Sequence, residues 1–320
     1  MGTILYPFQV KLNWFNLDRR KFSKLSAFGV VGLSEYGRFS NSFVKNKAYK
    51  YNLDYAPHLD MFKNLAGEDP IDQLNFIADL GFKSFEDNDM RKREISLQEL
   101  MAKTMQKRGI RMGVFVAHEI YWKRPNLASG DKALQSEFLN YIKKAIKVAK
   151  RVNAKWMTVV PGHVDLTKNI AYQTANVIEV LKKASNLLEP HGLVMVLEPL
   201  NFRDHPGLFL SESPQAYEIC KSVNSPSCKI LFDIYHQQIQ EGNLIPNIEK
   251  CWDEIGYFQI GDNPGRNEPT TGEINYNNVF KYIHSRGYQG ILGMEHGNSF
   301  KGKEGELKVI NAYKRVDKFI

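Results

Sequence analysis

The chain has 320 residues, 43% hydrophobic and 12% aromatic, an ordinary globular composition with enough apolar material for one large core or two modest ones. The formal net charge is +8, but residues 1–50 hold nine Lys/Arg against two Asp/Glu, leaving 34 basic and 33 acidic side chains over residues 51–320. So nearly neutral a body does not supply the broad phosphate-neutralising surface of a general nucleic-acid binder. Three cysteines, Cys220, Cys228 and Cys251, contain no C-x-x-C pair and read as buried free thiols, and no apolar run approaches the ~18 residues of a membrane span.

At the N-terminus, Asp18-Arg19-Arg20-Lys21-Phe22-Ser23-Lys24 precedes an uncharged run from Leu25 to Leu33. This resembles a twin-arginine export signal, which implies a periplasmic location reached through the twin-arginine translocation machinery; a basic arm on a cytoplasmic protein is the alternative. Residues 1–50 are therefore set apart as leader and linker, and 51–320 are read as a single domain.

From Tyr51 onward, short β-prone runs alternate with segments of helical periodicity. Leu53–Pro57 precedes a helix over Pro70–Leu80, Ser84–Glu86 one over Ser96–Lys107, and Met112–Ala117 one over Leu134–Val152. In the last of these Phe138, Ile142, Ala145, Ile146, Ala149 and Val152 recur at three- and four-residue steps, marking one buried face. Trp156–Val160 leads to a helix over Ile170–Leu188, and Val194–Leu197 to one opened by Ser213-Pro214 with Ser213 as its cap. Lys229–Phe232, Tyr257–Ile260 and Gly290–Met294 each precede a further helix, near Leu244–Glu254, Asn277–Ser285 and Gly305–Lys318. Eight such units with near-continuously apolar strands predict a (β/α)8 TIM barrel. An open doubly wound sheet is the alternative, but neither a G-x-G-x-x-G turn nor a Walker sequence is present.

In such a barrel the C-terminal strand ends share one face, where active sites are built. Strand five ends at Glu198, strand six at Asp233, strand seven carries Gln259 in its last turn, and strand eight ends at Glu295. Taken singly, each carboxylate fits a helix cap or an ion pair. Three behind apolar runs need counter-charge, and a divalent cation supplies it economically. The oxygen-only donor set favours Mn²⁺ or Mg²⁺, with Co²⁺ and catalytic Zn²⁺ as alternatives. Ambiguous strand-end residues are His58, His118, His163, Glu86 and Asp87, each readable as a pocket or a structural group. Trp122 reads equally as a pocket wall or as packing beneath its loop.

The segments VLEPLN, FDIYHQQ, FQIGDNPGRNEPTTGEINY and GMEHG, all in the second half, resemble the sugar isomerase and epimerase superfamily with a xylose isomerase-like barrel, and within it the hydroxypyruvate isomerase branch. The resemblance implies one divalent metal bound by Glu198, Asp233, Gln259 and Glu295, with Glu198 and Glu295 as the proton-transfer pair. It also implies that His236 and Arg266 hold substrate oxygens; His118 is a weaker candidate for the same task. Many relatives carry histidine where this chain has Gln259. The reaction implied is isomerisation of a small 2-hydroxy-carbonyl compound through an enediolate, hydroxypyruvate to tartronate semialdehyde being the branch's named case. A keto-sugar 3-epimerase, a keto-cyclitol dehydratase, an apurinic endonuclease-like nuclease and a non-enzymatic sugar-binding barrel are the other readings of this scaffold. The expected partner is a small-molecule substrate rather than nucleic acid, and a homo-oligomer is compatible with this scaffold.

Overall fold

A computed structural model describes residues 48–320; the twin-arginine-like segment and its apolar run lie outside them. Among the described residues eight strands occur in chain order: β1 Tyr55–Pro57, β2 Ser84–Phe85, β3 Arg111–Met112, β4 Trp156–Val159, β5 Val194–Leu197, β6 Cys228–Asp233, β7 Ile255–Gln259 and β8 Leu292–Met294. Six form one sheet in the order β1-β8-β7-β6-β5-β4, and β2 pairs with β3. Single parallel bridges, His58 to Glu86 and Val116 to Thr158, join the two sheets and close the ring. Every strand pairing is parallel. The long apolar run predicted as strand three is strand only at its start, yet Thr158 still donates to Phe115 and Ala117 to Thr158, so the ladder continues beyond Met112.

Successive strand residues point to opposite faces, and this period decides which side chains fill the barrel. Ala56, Val114, Trp156, Val194, Val196, Leu231, Tyr257 and Ile291 form a buried inner cluster. Their neighbours along the strands, such as Met195, Leu197, Ile230, Phe232, Phe258 and Met294, pack outward into the larger core beneath the helices. That core collects the buried stripe of each helix. Lys132–Val152 buries Phe138, Ile142, Ala145, Ile146, Ala149 and Val152, as the periodicity predicts. Asp131 caps it by accepting from the amides of Ala133 and Leu134, and Asn153 ends it in the left-handed conformation.

Two local expectations are corrected. Ser213 is the first helical residue of Ser213–Val223, with Glu212 at the cap position; its hydroxyl donates to Glu241 at 2.7 Å instead of capping. A short helix, Ile234–Gln240, also follows β6 directly, too short for its periodicity to stand out in the sequence. The three cysteines are free and buried, as expected. Among the described residues no helix is long and apolar enough to cross a membrane.

The fully packed Phe138 tests the outer core. Phe138→Ala should lower stability by about 3–5 kcal/mol through lost burial and a residual cavity. Leu166→Ala, at a side chain 89% exposed, should stay within about 0.5 kcal/mol; urea unfolding of both variants checks this.

Candidate metal and active site

The inward period of the inner cluster carries on past the strand ends. Two residues beyond Val196 is Glu198, two beyond Leu231 is Asp233, and two beyond Tyr257 is Gln259; Glu295 stands four beyond Ile291. Asp233 and Gln259 face each other in register on β6 and β7. Ligand atoms of Glu198, Asp233, His236 and Glu295 all lie within 4.8 Å of one another, so these four side chains converge.

Asp233 does two jobs. Its Oδ1 accepts from the amides of Tyr235 and His236 and caps the short helix, which leaves Oδ2 turned to the mouth, 3.5 Å from both His236 Nε2 and an Arg266 nitrogen. The cap also places His236 over the site. Asn201 Oδ1 accepts from the amides of Arg203 and Asp204, which fixes its amide group, and Asn201 Nδ2 then donates to His236 Nδ1 at 2.6 Å. With Nδ1 accepting, the ring proton resides on Nε2, a buried atom without a hydrogen-bond partner 3.9 Å from Glu198. Burial, reinforced by Arg266 and His205, holds the imidazole well below its ordinary pKa, so it is neutral. His236 is thus a poised donor rather than a further anion-neutralising group.

Arg266 sits in the β7 loop in a left-handed conformation, φ 47°, between a 2.8 Å bond to Glu295 Oε2 and the Tyr235 ring, whose centroid is 4.9 Å from the guanidinium carbon. Burial works against its charge, but Glu295, Asp233 and Glu198 outweigh burial and raise its pKa. Glu295 Oε1 meanwhile accepts from Asn88 at 2.7 Å. The cations at hand do not balance the anions. Burial, then Glu295 and Asp233, push Glu198 well above the usual carboxylate range, and burial brings Asp233 to about 7 against the pull of Arg266. Gln259 adds a buried carbonyl oxygen that has no partner. Three carboxylates that repel one another and an orphaned amide oxygen fit a hard divalent cation, which would satisfy all four.

The ambiguous residues separate cleanly. Glu86 is fully buried and bonded to His58, Gln259 and Tyr257, and ligand atoms of His58 and Glu86 also lie within 4.8 Å of Glu295. Asp87 is paired with Arg93. His118 is corrected: Nδ1 faces the Glu119 carbonyl at 2.8 Å and Nε2 accepts the Val160 amide at 3.2 Å, so neither ring nitrogen is left for substrate. His163 likewise bonds the Val164 carbonyl. Trp122 stacks on His205, whose ring lies 5.4 Å from His236, at the rim of the mouth. Glu268 ties its loop to the next one by accepting from the Ser299 amide. Asn201, Asn88 and Tyr235 were not singled out from sequence; Asn201 and Tyr235 stand within the segments VLEPLN and FDIYHQQ, and Asn88 within neither.

A family model described as a xylose isomerase-like TIM barrel matches residues 74–313. Hydroxypyruvate isomerase of Escherichia coli K12 is 35% identical over 162 residues, 51% of this chain and 63% of that protein. 2-Oxo-tetronate isomerase of Cupriavidus necator is 32% identical over 175 residues, 53% of this chain and 67% of the relative. Among solved structures, an AP endonuclease, family 2, from Brucella melitensis superposes with a TM-score of 0.70 at 26% identity, covering 79% of this chain and 96% of its own. D-psicose 3-epimerase of Clostridium cellulolyticum H10 gives 0.64 at 17% identity over 83% and 95%, a likeness of fold.

The structural role of His118 has a pH signature. Burial holds its pKa at about 4 instead of 6.5, so the unfolded chain binds the extra proton between those values. Its contribution is present above about 6.5 and is lost as pH falls toward 4, by up to about 3 kcal/mol. The stability gap between wild type and His118→Gln should narrow over that range in urea titrations at successive pH values.

Proposed function

Because the chain belongs to the xylose isomerase-like TIM barrel family, we propose that it is a metal-dependent isomerase of a small 2-hydroxy-carbonyl compound, with hydroxypyruvate and tartronate semialdehyde as its pair. The observation that carries this reading is the convergence of Glu198, Asp233 and Glu295 within 4.8 Å, beside the unpartnered oxygen of Gln259. Relatives named hydroxypyruvate isomerase and 2-oxo-tetronate isomerase support the substrate class. The matched stretch spans 63% of the E. coli relative.

Glu198, Asp233, Gln259 and Glu295 would hold Mn²⁺ or Mg²⁺, which when bound polarises the substrate carbonyl and acidifies the adjacent C–H. The chain's own groups then handle the proton. Glu198 on the β5 side and Glu295 on the β8 side flank the cluster from different directions, as a proton-transfer pair requires. One takes a proton from C3 of hydroxypyruvate to give the enediolate, a proton is returned to C2, and the C3 hydroxyl proton passes to the C2 oxygen as the aldehyde forms at C3. His236, neutral and presenting Nε2–H, donates to the oxygen on which charge develops. Arg266 offers a planar fork to the substrate carboxylate. The near-neutral charge of residues 51–320 favours such a substrate over the DNA implied by the name of the Brucella protein.

Incubation in heavy water with Mn²⁺ and hydroxypyruvate should place deuterium at the reacting carbon, and Glu295→Gln should slow this by about 10²–10⁴-fold. A wild type that labels neither hydroxypyruvate nor ketoses in a metal-dependent way refutes the proposal. Arg266→Lys, which keeps the charge but loses the fork, should raise KM for hydroxypyruvate more than it lowers kcat, in steady-state assays.

A further inference from the structure

A glutamine side chain ends in one oxygen and one nitrogen of similar size, and only the oxygen can face a cation. Something must therefore choose between two amide orientations of Gln259. Its Nε2 lies 2.6 Å from Glu86 Oε1, while its Oε1 is buried without a partner. Glu86 is fully buried, and its carboxylate oxygens accept from the groups that face them. Two other groups hold the same carboxylate: His58 Nε2 at 2.7 Å on the same oxygen and the Tyr257 hydroxyl at 2.7 Å on Oε2. The carboxylate is held from three sides. Gly293 on β8 makes the space for it, since any Cβ there would collide with the carboxylate of Glu86.

We propose that Glu86 is a positioning residue that locks the amide of Gln259 with its carbonyl oxygen toward the Glu198–Asp233–Glu295 cluster, completing an oxygen donor set for a hard divalent cation. The inference rests on the metal site proposed above. An amide turned the other way would aim N–H hydrogens at the cation and set its oxygen against Glu86, a double electrostatic penalty. Glu86 removes that alternative through its bond to the amide, as outer groups do for imidazole ligands elsewhere.

The test is a titration of metal-free protein with Mn²⁺, reading free ion by electron paramagnetic resonance, with circular dichroism to verify folding. Glu86→Met, similar in length but unable to accept from the amide, should weaken Mn²⁺ binding about 10–100-fold. Glu86→Gln can still accept in one of its own orientations and should fall between that variant and wild type. Tyr257→Phe removes a different partner of the same carboxylate and should bind as wild type does. Wild-type affinity in Glu86→Met, or an equal loss in Tyr257→Phe, overturns the proposal. If Glu86→Met does not fold, the comparison of Glu86→Gln with Tyr257→Phe decides on the same terms. A wild type that binds no Mn²⁺ removes the metal site itself and this inference with it, an outcome distinct from tight binding that ignores Glu86.

Discussion

Carboxylates crowded within 4.8 Å in a buried mouth repel one another and lose their hydration, and every group around the mouth answers that problem. Arg266 supplies one positive charge, Asn88 a neutral donor, and the helix-capping amides of Tyr235 and His236 draw off one oxygen of Asp233. These contributions are incomplete, as the upward displacement of Glu198 and Asp233 reveals. The residual charge is what makes the mouth a candidate cation site.

The barrel makes such an arrangement attainable because strand period and chemistry are in step. Each strand alternates inward and outward, so the residue two positions beyond the last inward apolar side chain on β5, β6 and β7 is already aimed at the axis. Apolar packing below holds the strand ends apart at fixed spacing. The polar layer above is ordered by its own bonds, which bring Arg266, His236 and the Trp122–His205 stack to the mouth.

Much of this was legible in the sequence because it depends on local pattern. Continuous apolar runs marked the strands, three- and four-residue steps marked the helices, and acidic residues closing apolar runs marked the metal candidates. Boundaries at β2 and β3 were less legible, since these strands are two residues long and are completed by isolated bridges. His118 misled because an inward strand-end histidine has the same sequence signature whether it meets substrate or backbone; here the Glu119 carbonyl and the Val160 amide decide it. Glu86 was ambiguous for a related reason. Its partners, His58, Tyr257 and Gln259, come from two other strands, and no reading of one segment could assemble them.

The lacing of the β7 and β8 loops has a consequence for motion. The Gly297 amide donates to the Arg266 carbonyl, Arg266 Nε to the Glu295 carbonyl, and the Ser299 amide to Glu268. Arg266 and Glu295 are thereby fastened through main chain as well as side chain. A displacement of this rim therefore carries both side chains together and preserves their spacing, so the guanidinium and the carboxylate keep a common frame of reference, while Trp122 and Phe202 stand half exposed.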